Sequence, residues 1–193
     1  FAIATSAHAQ TVTEPAPVQV NKRKKATLKK GVHYAVDQLG RSDGFMGNEK
    51  VRIPLPGFLD DTARLLRSLG QRQRVDELLL SMNRAAEAAV PLARDLLLSA
   101  VRGMTVQDAA KILVGGETSL TEFFARSTRT PLTAQLLPVV TRTTEKTGLA
   151  ARYNRLAEKA ATYGLIRPQD ARLEDYVTGK TLDGIYLMIG EQE

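Results

Sequence analysis

Apolar residues recur at helical spacing along most of this sequence. From Leu28 to Leu39 they return every three or four positions, and Gly40 ends the run. A longer periodic segment extends from Val75 to Ala100, where alternating steps of four and three keep one apolar face. Half of the positions on that face are alanine, so a neighbouring helix can approach closely. The face consists of Val75, Leu79, Met82, Ala86, Ala89, Ala93, Leu96 and Ala100.

Capping and stop signals predict further helices on both sides of this segment. One is predicted from Leu59 to Leu69, closed by Gly70, and another from Leu149 to Tyr163. The N-termini of the other predicted helices are marked by two features. One is a side chain that accepts a hydrogen bond from the first helical turn, and the other is a proline in that turn. These are Thr105 with Asp108, Ser119 with Glu122, Thr130 before Pro131, and Asp170 before the last helix.

Two prolines lie inside the helical pattern, and one stretch lacks the pattern. Pro91 and Pro138 each remove a backbone hydrogen bond and crowd the preceding turn, which predicts a kink or break. Residues 41–57 combine Ser-Asp-Gly turn chemistry with two further prolines, so this stretch is predicted to be non-helical. Strand signals are nearly absent. The predicted fold class is all-α, a single-domain bundle of roughly eight helices with kinks near Pro91 and Pro138.

The amino-acid composition limits the kinds of functional site that this protein can contain. With 43% hydrophobic and 25% charged residues, the 193-residue chain is globular rather than disordered. Cysteine is absent, which excludes disulfides, thiolate metal sites and cysteine nucleophiles. The only histidines are His8 and His33, which leaves little basis for a zinc site built on imidazoles. The sequence therefore predicts no catalytic residue, no metal and no cofactor.

The positive charge is concentrated near the N-terminus. The net charge is +6, and residues 1–30 hold six of the 27 basic residues and one of the 21 acids, giving +5. The rest of the chain carries only +1, which argues against nucleic-acid binding by the domain. The basic run is either a solvated helix start or an arm that attracts an anionic membrane or another anionic envelope polymer. Its members are Lys22, Arg23, Lys24, Lys25, Lys29 and Lys30.

The first residues have the features of a leader that directs export. The segment is apolar and ends in small residues at Ala7 and Ala9, an A-x-A cleavage pattern before Gln10; the alternative is a chance alanine-rich tail. Residues 11–20 have the proline-containing chemistry of an extended linker. We expect a protein of the Gram-negative periplasm without a transmembrane segment. The expected parts are a signal-peptide remnant at 1–9, a flexible basic linker arm at 10–25 and a helical domain at 26–193.

Several short motifs occur in a fixed order along the chain. They are Asp43-Gly44-Phe45, Val51-Arg52-Ile53-Pro54-Leu55-Pro56, Met82-Asn83-Arg84-Ala85-Ala86-Glu87, Met104-Thr105 with Asp108-Ala109, Thr121 with Phe123-Phe124, Pro138-Val139-Val140, and Tyr176-Val177 with Leu182-Asp183-Gly184. Together they resemble a bacterial family known as domain of unknown function 4197, over residues from about 28 to 193. The resemblance implies an exported helical domain with no assigned activity. The lysine-rich first helix departs from the family, and a basic tail typical of the family would follow Glu191.

The polar residues of greatest interest lie in the middle of the alanine-rich helix. Asn83 and Glu87 are four residues apart and therefore share a face, with Arg84 beside them. One interpretation is a polar cluster inside the bundle that binds a ligand or a cation. The other is a structural network, in which these side chains pair with neighbouring helices and satisfy carbonyls freed by Pro91.

Weaker candidates come from the same motifs and caps. They are Asp108, Thr121, Tyr176 and Asp183. Gly184, within the last predicted helix, indicates either close helix contact or a bend that exposes Asp183. Gly115 to Ser119 is typical of an ordinary helix stop and start, with an anion site at the helix N-terminus as the alternative. The tyrosines favour half-buried packing over a binding cage: Tyr153, Tyr163, Tyr176 and Tyr186.

Three functions remain open on the sequence alone. The leading prediction is a non-enzymatic envelope binding or scaffold protein, because catalytic histidines and cysteines are lacking and the chain has a basic arm. The second is a small-molecule or lipid-binding helical module with an interhelical pocket. The third is an enzyme that uses carboxylates or tyrosines. A dry core, a large apolar cavity or a polar cleft around Glu87 would favour the first, second or third, respectively.

Overall fold

The computed structural model is built almost entirely from α-helices. It describes residues 16–59, 63–64, 67–70, 72–114, 119–146, 148–164, 166 and 171–192. Within these ranges six helices are delimited, no strand occurs, and the prediction of a single all-α domain is confirmed. The helices are α1 (Ala16–Leu39), α2 (Arg72–Gly103), α3 (Val106–Val114), α4 (Ser119–Glu145), α5 (Leu149–Thr162) and α6 (Leu173–Gly190), with a 3-10 turn at Gly57–Leu59.

The described ranges contain fewer helices than the roughly eight predicted, for two reasons. The helix predicted from Leu59 to Leu69 lies partly outside the described residues, and prolines do not end helices here. α2 continues through Pro91, and α4 continues through both Pro131 and Pro138. A proline inside a helix costs about 3 kcal/mol, and the packing of these long helices along their neighbours outweighs that cost. The predicted helix start at Thr130 is therefore wrong, since it lies inside α4. A kink near Pro91 and Pro138 stays a prediction.

The last helix begins without a side-chain cap of its own. Its N-cap residue is Arg172, and Asp170, the predicted cap, lies outside the described residues. Instead, Asn154 of α5 accepts a hydrogen bond from the backbone N–H of Leu173 through its Oδ1 at 2.9 Å. The same amide donates to both carboxylate oxygens of the buried Glu174 at 3.2 and 3.1 Å. α5 thus supplies the cap for α6.

α1 begins much earlier than the apolar pattern predicts. The extended conformation predicted for residues 11–20 is wrong for 16–20, which are helical and continuous with the basic run. Pro17 lies in the first turn, where its missing N–H would have no helical partner. Lys25 also ties the helix to α2, because its Nζ donates to the carbonyl of Arg102 at 2.8 Å. Residues 1–15, including the cleavage pattern, lie outside the described residues.

α2 is the central helix of the bundle and packs against α1, α4 and α6. Five positions of its predicted apolar face are buried, namely Val75, Met82, Ala86, Ala89 and Ala93. Towards the C-terminal end the buried face moves to Leu97 and Val101, and the predicted Leu96 and Ala100 are only half-buried. A helix of 3.6 residues per turn drifts away from a strict 3.5-residue repeat, which accounts for the displacement by one position.

The 41–56 loop belongs to the core rather than to the surface. Phe45 and Ile53 are almost completely buried, and Phe45 lies against Gly184 of α6. A Cβ on that glycine would come within 2.9 Å of Phe45 Cε1 and 3.4 Å of Val51 Cβ. The sequence predicts close contact with a helix at this glycine, whereas the contact is with the loop.

We expect Gly184→Ala and Gly179→Ala to change stability in opposite directions. Gly179 lies in the same helix, and a methyl group added there would meet nothing within 4 Å, so alanine should stabilise the helix by up to about 1 kcal/mol. Alanine at Gly184 overpacks a fully buried ring and should cost about 1–3 kcal/mol. Urea unfolding of both variants measures the difference. Equal gains in stability would show that Phe45 moves aside freely and that the loop is not tightly packed.

Candidate functional site

A buried carboxylate joins α2 to the 41–56 loop. Glu87 is 5% exposed, and its Oε1 accepts hydrogen bonds from the backbone N–H groups of Phe45 and Met46, both at 3.1 Å. The chain turns at Asp43, whose φ of 62° lies in the left-handed region. After this turn, two consecutive amides face α2, and one carboxylate oxygen satisfies both.

Arg84 neutralises this carboxylate from the solvent side. Its Nη1 donates to Glu87 Oε2 at 2.7 Å and to Ser42 Oγ at 3.0 Å, and its Nη2 donates to Asp43 Oδ1 at 2.8 Å. The hydrogen bond to Glu87 is the main reason why the pKa of Arg84 is raised above its ordinary value. Because the guanidinium is partly exposed and the carboxylate is buried, one charge stays hydrated while it compensates the other.

Asn83 holds the other end of the loop. Its Nδ2 donates to the carbonyls of Ile53 at 3.0 Å and Leu79 at 2.8 Å, and its Oδ1 accepts from the N–H of Ile53 at 2.8 Å. The prolines on either side of Leu55 keep this stretch extended, without a strand beside it. A side-chain amide, which has both donors and an acceptor, replaces the missing backbone partner.

These contacts show what the polar cluster does in the fold. Both oxygens of Glu87 and the whole amide of Asn83 are engaged by partners within the chain. A ligand would have to displace several of these hydrogen bonds, so the geometry favours the structural network over a ligand site. The partners differ from those predicted, because the side chains bind the backbone of a loop rather than neighbouring helices.

Two weaker candidates, Thr121 and Asp183, lie along one open surface groove. The groove has a volume of about 550 Å³ and runs between the first half of α4 and the last half of α6. Asp183 Oδ1 accepts a hydrogen bond from Arg129 Nη2 at 2.6 Å. The Arg129 guanidinium carbon also lies 5.3 Å from the centre of the Tyr186 ring, within the range of a cation–π contact. The groove thus has an ion pair at one end.

The hydroxyl of Tyr186 is buried beneath this groove. It lies 2.8 Å from Thr128 Oγ1, which itself lies 2.8 Å from the carbonyl of Phe124. Thr128 has a single proton to donate to that carbonyl, so Tyr186 must donate to Thr128. Burial raises the pKa of Tyr186, which keeps the phenol neutral. Its arrangement suits helix packing rather than nucleophilic chemistry.

The remaining weaker candidates lie elsewhere and have structural partners. The Tyr176 hydroxyl donates to the carbonyl of Pro54 at 3.1 Å and fastens the loop to α6. Asp108 and Thr105 form the predicted capping box, in which Asp108 Oδ2 accepts from the Thr105 N–H at 2.8 Å. This backbone hydrogen bond is the main reason why the pKa of Asp108 is lowered. Residues 115–118, with most of the alternative anion site, lie outside the described residues.

The basic residues of α1 face mainly outward. Lys22, Arg23, Lys29 and Lys30 are exposed, and Lys24 and Lys25 are half-buried. One to two turns further along α1, Arg94 of α2 donates to His33 Nδ1 at 3.2 Å and also pairs with Asp37. The sequence shows that His33 and Asp37 are four residues apart and share a face. It does not show that Arg94, about sixty positions away, is their partner.

The described part of the chain contains neither a cluster of metal-binding side chains nor a membrane-spanning helix. There, no three histidine, aspartate or glutamate side chains come together in a way that could hold a metal ion. None of the described helices combines the length and apolar character needed to cross a bilayer.

Comparison with known families agrees with the motifs. The model of a family described as "Protein of unknown function (DUF4197)" matches residues 17–193. The chain belongs to this family. The DUF4197 match begins in the first turn of α1, so it includes the basic run as well as the rest of the bundle. No curated protein and no solved structure matches the chain.

We expect Glu87→Ala to destabilise the protein severely, by about 3–5 kcal/mol, because it leaves two loop amides without their acceptor and removes one of the two carboxylates paired with Arg84. The matched control is Glu77→Ala, an exposed glutamate of the same helix, which should change stability by less than about 0.5 kcal/mol. Thermal and urea unfolding measure both. An unchanged stability of Glu87→Ala would reject the structural network and restore this cluster as a ligand site.

Proposed function

We propose that this protein is a non-enzymatic binding or scaffold protein of the cell envelope, which docks on an anionic membrane surface through one face of α1. The observation that carries the proposal is the charge of this helix. Residues 16–36 contain six basic residues and no acid, and Asp37 is the first acid in α1. We call the exposed basic residues Lys22, Arg23, Lys29 and Lys30 the docking face.

Helix geometry supports a common orientation of these side chains. Lys22 and Lys29, like Arg23 and Lys30, are seven residues apart, close to two full turns. All four are exposed. A basic residue near an anionic bilayer contributes about 1 kcal/mol to binding, so four of them favour measurable binding at low salt, which screening by salt weakens.

The density of like charge in α1 is unfavourable for the helix itself. Lys25 lies three residues after Lys22 and four before Lys29, and like charges at these spacings repel one another on a helix. The opposite side of α1 is nevertheless held in the bundle by Leu28, Val32 and Ala35, which are completely buried. The core therefore supports a helix whose exposed charge is locally unfavourable, and a role in docking accounts for that arrangement.

The other two functions have weaker support. A small-molecule or lipid-binding module needs a concave site that surrounds its ligand; among the described residues, the groove between α4 and α6 does not provide one, because it is open to solvent. An enzyme based on carboxylates needs accessible acids, whereas the carboxylate of Glu87 is occupied by the loop. A docking role requires neither an enclosed cavity nor a free acid.

The proposed location is the periplasm of a Gram-negative bacterium, after removal of a signal peptide near Gln10. The small residues at Ala7 and Ala9 support this cleavage position. N-terminal sequencing of protein from the periplasmic fraction should begin at or near Gln10. Recovery of chains that retain residues 1–9 would contradict the cleavage.

We expect replacement of the four docking-face residues by glutamine to weaken binding to vesicles rich in phosphatidylglycerol by at least about tenfold. Glutamine removes the charge and is a good helix former, so α1 should persist. Co-sedimentation with vesicles at low salt, compared with vesicles of phosphatidylcholine alone, measures the effect.

The matched control removes the same charge elsewhere. Glutamine at Arg74, Arg126, Arg142 and Arg152, which are exposed on α2, α4 and α5, should leave most of the binding intact. Equal loss in both variants would show that net charge, not α1, determines binding. Binding to a soluble polyanion without binding to vesicles would reject the membrane in favour of an anionic envelope polymer.

A further inference from the structure

Tyr34 lies in line with the docking face of α1. It follows Lys30 by one turn and Arg23 by eleven residues, close to three full turns. Its side chain is 36% exposed, whereas the next two residues, Ala35 and Val36, are buried. The outward side of α1 therefore changes from cationic to aromatic at this point.

A lysine of the 41–56 loop lies at the end of α6, where it pairs with an acid. Lys50 Nζ donates to Glu191 Oε1 at 2.6 Å, and its side chain is 66% exposed. The hydrogen bond to Glu191 is the main reason why the pKa of Lys50 is raised. The end of α6 that carries Glu191 lies close to α1, because a Cβ on Gly31 would come within 3.1 Å of Ile189 Cγ2. Tyr34 thus follows Lys30 by one turn of α1, and the Lys50–Glu191 pair lies at the end of α6 that packs near this part of α1.

We infer that Tyr34 is an interfacial anchor, whose ring enters the headgroup region of an anionic bilayer while Arg23, Lys30 and Lys50 contact the headgroups around it. This inference rests on the proposed function, since it specifies how the docking face meets the membrane. It also gives α1 a direction on the surface, with the Tyr34 end inserted and the first turns lying along the headgroups.

The chemistry of tyrosine fits this position. Its ring is apolar and its hydroxyl is polar, and aromatic residues of this kind concentrate at membrane–water interfaces. Binding by charge alone weakens steeply as salt rises, whereas a buried ring contributes through the hydrophobic effect and resists screening. Peripheral proteins combine basic and apolar side chains on one helix face for this reason.

The absence of tryptophan from the sequence allows a site-specific test. Tyr34→Trp introduces a single reporter on the docking face. Tyr163→Trp introduces one directly after the end of α5, away from α1, where the tyrosine is 80% exposed. With phosphatidylglycerol vesicles at low salt, we expect the emission of Tyr34→Trp to shift to shorter wavelength, to gain protection from acrylamide and to be quenched by brominated lipid. The emission of Tyr163→Trp should not change.

A second variant tests the contribution of the ring to affinity. Tyr34→Ser removes the ring from a partly exposed position and leaves every charge in place. We expect about five- to tenfold weaker binding, which corresponds to burial of part of one aromatic side chain. The binding that remains should decrease more steeply with salt than that of the unaltered protein.

The outcomes separate the inference from the proposed function. If the unaltered protein does not bind anionic vesicles, both are wrong. If the protein binds, but the emission of Tyr34→Trp stays at the wavelength of a solvent-exposed tryptophan, the docking face binds the membrane through charge alone. The inference that Tyr34 is an anchor is then wrong. A shift in both tryptophan variants would also reject the anchor, because the bound protein would then have no preferred face.

Discussion

The hydrogen bonds from two consecutive loop amides to the carboxylate of Glu87 are the constraint on which this fold depends. The 41–56 loop has neither a helix nor a strand to satisfy its backbone, and it is nevertheless packed into the core. A buried amide without a partner costs roughly 1–3 kcal/mol. Glu87 and Asn83, one turn apart on α2, satisfy the amides of Phe45, Met46 and Ile53. Only with its backbone paired in this way can the loop place Phe45 against Gly184 of α6.

This arrangement gives the polar residues Asn83, Arg84 and Glu87 a role in holding the fold together. A cluster of arginine, asparagine and glutamate in the middle of a helix has the composition of a binding site, and its location beside a proline adds to that impression. Its atoms, however, are engaged by the loop, and Arg84 compensates the one buried charge. The exposed side of α1 presents the opposite case, because its basic side chains repel one another and α1 contains no acid before Asp37.

Local sequence signals predicted much of the fold, and the errors have physical causes. The all-α class, the buried alanine face of α2 and the Thr105–Asp108 capping box follow from periodicity and from contacts within one turn. The continuity of α2 through Pro91, and of α4 through Pro131 and Pro138, depends on tertiary packing, which outweighs a local penalty. The early start of α1 was not predicted, because its first turns contain few apolar residues and therefore give no periodic signal.

The candidate site was located but not explained by the sequence. The four-residue spacing placed Asn83 and Glu87 on one face of the helix. Their partners are backbone groups some thirty to forty residues away. Every residue except proline has a backbone amide, so the sequence does not show which amides these side chains bind. The sequence did not identify Tyr34 as a candidate. A single aromatic residue indicates a binding surface only when the basic residues near it are known to be exposed.

Hydrogen exchange of the free protein tests the central claim most directly, because it reports whether the cluster on α2 holds the loop. The amides of Phe45, Met46 and Ile53 should exchange as slowly as the buried amides in the middle of α2, although they lie outside any helix. Exchange at the rate of an unstructured peptide would contradict the account, since the polar cluster would then be free of the loop and available to a ligand.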